Sequence, residues 1–151
     1  MHRLSKWLAA GALIAAAAGV QGDSKESALA IAFDDAALKW GPCPEFMPKG
    51  CGLAVLHGDP TKPNADVFLK APAGSEIPRH WHTSAERMVL ISGQLTVVYD
   101  GHAPAALKPG MYAYGPAKAP HKASCAKGAD CVLFIAFESP VDAVKGGGEG
   151  R

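Results

Sequence analysis

The sequence predicts an all-β protein, built as a sandwich or jelly-roll barrel of short strands. Runs rich in β-branched, aliphatic and aromatic residues recur between residues 51 and 138, and Gly, Pro and Asp turn signals separate them. No amphipathic helix longer than two turns is evident after residue 41. Many short strands at a roughly even spacing are typical of sandwiches and jelly rolls.

Residues 1–22 have the composition of a secretory signal peptide. His2, Arg3 and Lys6 form a short basic region, an Ala- and Leu-rich apolar run covers 7–20, and small residues follow it. The run is shorter than the roughly twenty apolar residues that a membrane-spanning helix needs. The alternatives are an uncleaved anchor or a buried helix. We expect cleavage and export to the periplasm or the medium, with no membrane contact afterwards.

The rest of the chain is predicted to form a single domain with short flanking segments. We expect an N-terminal arm over 23–50, a barrel domain over 51–140 and a flexible, Gly-rich tail over 141–151. In the arm, 33–40 has helical or turn character, and the prolines that follow exclude regular structure. The net charge of +1, without a basic patch, argues against nucleic acid as a partner.

Eight strands are predicted between the turn signals. They cover residues 51–57, 67–70, 79–82, 86–91, 95–99, 111–114, 122–125 and 132–138. Gly-Asp-Pro, Pro-Ala-Gly, Ser-Gly, Asp-Gly and Pro-Gly sequences mark breaks between them.

Three histidines and a glutamate have the spacing of a metal site. His80 and His82 are two residues apart, so both side chains leave the same face of an extended strand. Glu86 rejoins them if the chain turns after His82 and a new strand begins. With His121, this set suits a first-row divalent metal with open positions for water or substrate. The alternative, satisfied core histidines and a surface glutamate, would leave three buried polar rings in need of partners.

The same positions resemble the two motifs of the cupin superfamily. The first motif is matched at all of its fixed positions, namely Gly74, His80, His82, Glu86 and Gly93. The second is matched at Gly110, Pro116 and His121, whereas Lys118 and Cys125 stand where Gly and Asn are usual. Residues 40–44 and 54–62 are similar to a group of small single-domain cupins, distantly similar to the cupin-like metal domain of some anti-sigma factors.

The resemblance implies a jelly-roll β-barrel that binds one divalent transition metal ion, which could be Fe, Mn, Ni, Cu, Co or Zn. It also implies a small-molecule ligand or substrate and allows a homodimer. Two function classes remain open. One is a small-molecule metalloenzyme with dioxygenase-, isomerase- or decarboxylase-like chemistry, and the other is a non-catalytic module that binds or senses a ligand through its metal. A purely structural barrel of the seed-storage type is disfavoured, because all four ligands are retained.

Several residues near these motifs are candidates for the pocket. Met88 and Leu90 share the strand parity of Glu86 and should line the interior beneath the metal. Tyr112 and Tyr114 lie on one face of a strand and would either pack or bind a ligand. Arg79 would either pair with an anionic substrate at the mouth or remain a solvated charge.

No catalytic residue is identified from the sequence. Between residues 74 and 125, no further Glu, Asp or His has clear inward parity. This counts against acid–base chemistry by a side chain and leaves oxygen chemistry at the metal open.

The four cysteines, Cys43, Cys51, Cys125 and Cys131, form two local pairs and indicate disulfides in an oxidising compartment. The six-residue step from Cys125 to Cys131 resembles a hairpin, where cross-strand neighbours lie within disulfide range. The alternatives are a zinc cluster, for which neither pair has the usual two-residue spacing, and a free Cys125 thiol facing the pocket.

Overall fold

Two antiparallel β-sheets make up the structure, a computed structural model that describes residues 27–146. The sheets belong to one compact unit that begins at Ile31. The predicted signal segment and the last residues of the predicted tail lie outside the described residues. Within residues 27–146, no helix is long and apolar enough to cross a membrane.

The larger sheet has six strands and the smaller sheet has five. In spatial order, the larger sheet contains β1 (Gly41–Pro42), β2 (Gly52–His57), β3 (Ala65–Ala71), β10 (Cys131–Phe137), β5 (Glu86–Ser92) and β8 (Tyr112–Gly115). The smaller sheet contains β11 (Val144–Lys145), β4 (Glu76–Trp81), β9 (His121–Cys125), β6 (Leu95–Tyr99) and β7 (Ala105–Leu107).

The all-β prediction is confirmed, and each of the eight predicted strands overlaps an observed one. Three short strands, β1, β7 and β11, were not predicted. They have two or three residues and lie at sheet edges, so they are too short to show an alternation of apolar and polar side chains. The segment 33–40 contains turns and no helix, with backbone hydrogen bonds from Asp35 to Ala32 and from Leu38 to Asp35.

The main core lies between the two sheets. Inward residues of β3, β5 and β10 meet those of β4, β6 and β9. Burial alternates along β5, β6 and β9, so one face of each of these strands points into the core. A second apolar cluster covers the outer face of the larger sheet, where Leu38 and Trp40 of the arm pack against Phe68 and Val132. Strand β10 is therefore buried on both faces, which explains its nearly continuous run of apolar residues.

All four cysteines are paired as the local pairing predicts, so Cys125 offers no free thiol. The Cys43–Cys51 and Cys125–Cys131 bridges have Cα–Cα distances of 5.6 and 5.8 Å. The predicted hairpin at the second pair is wrong, because β9 and β10 belong to different sheets. The Cys125–Cys131 bridge therefore joins the two sheets at the point where the chain crosses from one to the other.

Candidate metal centre

Strand register brings the three histidines together at one end of the space between the sheets. The pairing of β4 with β9 places His80 opposite His121, and His82 follows directly after β4. One ring nitrogen from each histidine lies within 4.8 Å of the others. All three side chains are buried, with at most 7% of each residue exposed.

Each imidazole is oriented by a backbone carbonyl. The Nδ1 atom of His80 lies 2.7 Å from the Pro78 oxygen, and that of His121 lies 3.0 Å from the Ala119 oxygen. The Nδ1 atom of His82 contacts the Asp142 oxygen in the same way. A carbonyl oxygen only accepts hydrogen bonds, so Nδ1 donates in each neutral ring and Nε2 is left with a free lone pair.

Glu86 faces two of these nitrogens from the first position of β5. Its Oε1 atom lies 3.4 Å from Nε2 of His82, and its Oε2 atom lies 3.9 Å from Nε2 of His121. The turn that returns the chain to this point is held by the buried Ser84, whose hydroxyl accepts hydrogen bonds from the Glu138 and Ser139 amides at 2.8 and 3.0 Å. The cluster of mutually close ligand atoms consists of the three histidines, with Glu86 beside it.

Burial sets the protonation of the cluster. It lowers the pKa of His80 to about 3, with a further contribution from His121, and lowers the pKa of His121 to about 4. Burial also raises the pKa of Glu86, although His82 opposes that shift. At neutral pH the two rings are therefore uncharged, which is the form that binds metal ions.

The donor set fits a divalent transition metal ion. The three imidazoles offer Nε2 lone pairs, and Glu86, when ionised, offers a carboxylate. All four groups are hydrogen-bond acceptors, and none of them donates to another. A buried arrangement of acceptors alone is unfavourable unless a cation neutralises it. Imidazole nitrogen with carboxylate oxygen is the combination that suits such metals.

A cavity of about 180 Å³ opens beside the histidines. Its walls are mostly aliphatic and come from both sheets. The polar residues that line it are His80, His82, Glu86, Tyr99, His121 and Asp142. Among the partly exposed lining residues are Cys43 and Pro44 of the disulfide-closed loop and Val141 and Asp142 of the C-terminal segment.

Comparison with known proteins identifies the family. A family model described as the ChrR cupin-like domain matches residues 29–140. The chain belongs to this cupin family. The two-sheet architecture is accordingly that of a cupin jelly roll, and the sequence resemblance is confirmed. No protein of curated function is significantly similar to this cupin in sequence.

Solved structures share the fold at low sequence identity. The DMSP lyase DddQ from Ruegeria pomeroyi DSS-3 is 20% identical, with a TM-score of 0.62 over 76% of this chain and 64% of that chain. The polyketide cyclase RemF from Streptomyces resistomycificus is 18% identical, with a TM-score of 0.61 over 72% and 80%. An RmlC-like cupin from Ralstonia eutropha JMP134 is 26% identical, with a TM-score of 0.55 over 68% and 64%. This cupin spans less than two-thirds of two DMSP lyase chains that it matches, 62% and 64%.

Some of the predicted pocket residues of this cupin line the cavity, and others do not. Met88 lines the cavity, whereas Leu90 is fully buried in the core and does not line it. Tyr112 and Tyr114 are 60% and 53% exposed and lie outside the cavity. Their placement corrects the prediction, because the pairing of Glu86 with Gly115 turns Ala113 and Gly115 of β8 inward and both tyrosines outward.

Arg79 is also outside the cavity. Its guanidinium forms an ion pair with the exposed carboxylate of Asp100, with Nε lying 3.1 Å from both carboxylate oxygens. The pair holds the pKa of Asp100 below its usual value. Arg79 is therefore paired with the residue that follows β6 and does not provide a cation for a ligand in the cavity.

Two residues at the site were not anticipated. Tyr99 faces inward from the last position of β6, opposite His121, and their ring centroids are 4.6 Å apart. Its hydroxyl is buried and has no hydrogen-bond partner among residues 27–146. Asp142 lines the cavity and contacts His82. The parity of β6 could have placed Tyr99 inside, but no local pattern marks Asp142.

Proposed function

We propose that this cupin binds one divalent transition metal ion through His80, His82 and His121, with Glu86 as the fourth ligand, and acts on a small molecule in the adjoining cavity. The observation that carries the proposal is the arrangement of three buried imidazoles, each with Nδ1 bonded to a carbonyl and each with one ring nitrogen within 4.8 Å of those of the other two. Carbonyls that accept a hydrogen bond from the other ring nitrogen of a histidine ligand fix ligand geometry in metal sites.

A metal bound here would supply Lewis-acid polarisation of a ligand oxygen, or dioxygen binding if the ion is redox-active. The chain itself supplies orientation and the exclusion of water. Aliphatic side chains from both sheets surround the approach to the histidines. Tyr99 adds a neutral hydroxyl beside the cluster, because burial and the nearby Glu86 carboxylate raise the pKa of its phenol.

The lining favours a reaction that needs no separate side-chain base. Apart from the four proposed ligands, the titratable side chains that line the cavity in the described part of the chain are Tyr99 and Asp142. The Asp142 carboxylate already accepts hydrogen bonds from the Thr83 amide, at 2.9 Å, and from the Thr83 hydroxyl. Isomerase- or dioxygenase-like chemistry fits this set. Structures named as a lyase and a cyclase share the fold, although fold alone does not determine activity.

A non-catalytic binding or sensing module is the second candidate. It is favoured because no carboxylate or imidazole that lines the cavity within residues 27–146 is free to act as a base. A measurement of turnover distinguishes an enzyme from a binding module. Metal-loaded protein is incubated with a panel of small oxygen-bearing molecules, and each is followed by mass spectrometry. An enzyme consumes many equivalents of one compound and loses this activity in His121→Ala. Recovery of a bound compound unchanged, at one equivalent per chain, would instead identify a binding module.

We also propose that the protein is exported to the periplasm or the medium. The basic and apolar composition of residues 1–22 supports this, as do two disulfides, which persist in oxidising compartments. Expression of the whole chain followed by cell fractionation and N-terminal sequencing tests it. A mature protein that begins near Asp23 outside the cytoplasm is expected, and an uncleaved cytoplasmic chain would contradict it.

A further inference from the structure

The strands that enclose the cavity run from polar residues at one end to aliphatic residues at the other. On β6, Tyr99 lies opposite His121, whereas Leu95 lies opposite Leu107 and the disulfide-bonded Cys125. At about 3.4 Å per residue, these two ends are about 14 Å apart. The same polarity repeats on β10, where Phe137 pairs with Glu86 and Leu133 lies at the aliphatic end.

The charge of the lining restricts what can enter. No lysine or arginine is among the described residues that line the cavity, and its charged side chains are the carboxylates Glu86 and Asp142. A second anionic group on a ligand would therefore be desolvated without a cationic partner, which is strongly unfavourable. Sugars and other molecules with many hydroxyl groups would likewise find few hydrogen-bonding partners beyond the histidine end.

The volume of the cavity sets the size of the ligand. An apolar cavity of about 150 Å³ holds a molecule of the size of benzene. The 180 Å³ cavity of this cupin is slightly larger and corresponds to on the order of six to nine non-hydrogen atoms.

We propose that the ligand is a small molecule with an apolar body and one oxygen-bearing head group of at most one negative charge, such as a monocarboxylate or a carbonyl compound. The head lies at the three histidines, and the body extends along β6 toward Leu95 and Leu107. This inference rests on the proposed function, because the metal provides the positive charge that the lining lacks.

Straight-chain monocarboxylates from acetate to decanoate, titrated calorimetrically into metal-loaded protein, test the inference. Affinity should rise about fourfold per methylene group as apolar surface is buried, up to a medium-length acid, and then fall when the chain no longer fits. Hexanoate should bind at least about tenfold more tightly than adipate, which adds a second carboxylate. The inference would be overturned if adipate bound as tightly as hexanoate or if affinity did not depend on chain length. It would also be overturned if no monocarboxylate bound.

Two variants locate the apolar end. Leu107→Ala should shift the best chain length upward by enlarging that end, and Ala123→Leu should shift it downward. Ala106→Leu is the matched control, because Ala106 is exposed on the same strand as Leu107 and lies outside the cavity. An unchanged optimum in a folded Leu107→Ala protein would contradict the proposed orientation. If Ala123→Leu does not fold, the chain-length series on the wild-type protein and on Leu107→Ala still tests the proposed orientation.

Metal content, measured on the same preparations, separates this inference from the proposed function. Bound metal without chain-length dependence would refute the ligand class and leave the metal site standing. The series is therefore repeated with 1-alkanols on protein stripped of metal. Chain-length dependence there, in a protein that never retains metal, would support the apolar ligand class and refute the metal-dependent function.

Discussion

The backbone carbonyl of Asp142 accepts a hydrogen bond from Nδ1 of His82, across 60 residues of sequence. The Asp142 carboxylate accepts a second hydrogen bond from the Thr83 amide, at 2.9 Å. The segment that follows β10 is thereby attached to the loop that carries His82, and it sets which nitrogen of that ring faces the cluster. Asp142 therefore affects the metal site indirectly, because it orients the proposed ligand His82.

Replacing Asp142 with alanine should weaken metal binding without removing a ligand. The variant loses the hydrogen bonds to Thr83, so the Asp142 carbonyl that orients His82 is held less firmly. Metal affinity should then fall about tenfold, as it does when other groups that hydrogen-bond to metal ligands are replaced. Competition with a chelating indicator dye measures it. Asp130→Ala is the matched control, since Asp130 also accepts a backbone hydrogen bond, from Ala73 at 2.9 Å, away from the site. Equal metal affinity in Asp142→Ala and wild type would contradict the role.

The metal-free protein should lose stability as the pH falls from about 6.5 toward 4. The unfolded chain protonates its histidines near pH 6.5, whereas burial keeps the pKa of His80 at about 3 and that of His121 at about 4. The unfolded state therefore binds more protons in this window, at about 1.4 kcal/mol per pH unit for each ring. Glu86, whose pKa burial raises, offsets part of the loss. Urea unfolding at pH 7 and pH 5 measures it, and equal or greater stability at pH 5 would contradict it.

Tyr99→Phe should leave the stability of the ligand-free protein unchanged or slightly higher. The hydroxyl is buried without a partner, so its removal breaks no hydrogen bond and relieves an unsatisfied polar group. Thermal unfolding measures this, with Tyr112→Phe on the exposed surface as the control. Destabilisation by more than about 1 kcal/mol would show that the hydroxyl has a structural partner.

Gly115→Ala should disturb the site through lack of space. A Cβ at this position would collide with the Tyr99 hydroxyl and lie 3.1 Å from Oε2 of Glu86. Overpacking of this kind costs about 1–3 kcal/mol, and it should lower metal content by moving Glu86. Gly41→Ala is the control, because a Cβ there meets only the Leu53 carbonyl at an ordinary 3.6 Å. Equal stability and equal metal content of both variants would contradict this account of Gly115.

The sequence predicts the parts of the site that depend on local periodicity. Alternation along a strand places His80 and His82 on one face, and the strands that carry Glu86 and His121 follow from turn signals. The shared parity of Met88 and Leu90 correctly predicts that both face inward, although only Met88 of the two lines the cavity.

Contacts that depend on how distant strands pair could not be predicted from local periodicity. A shift of one residue reverses the faces of a strand, and the observed register of β8 places Tyr112 and Tyr114 outside. The crossing between sheets at Cys125 and Cys131 resembles a hairpin in sequence, because both connections need a short polar turn. Asp142 follows the last long strand, and only the folded chain brings it to His82.

Elemental analysis of the protein, purified without chelators or an immobilised-nickel column, tests the central claim most directly. The account predicts about one transition metal ion per chain, because three buried imidazoles and a carboxylate converge. It also predicts loss of most of that metal in His82→Ala and its retention in His102→Ala, which changes an exposed histidine outside the cluster. Wild-type protein that neither carries nor takes up metal, or a His82→Ala variant with unchanged metal content, would contradict the assignment of this site.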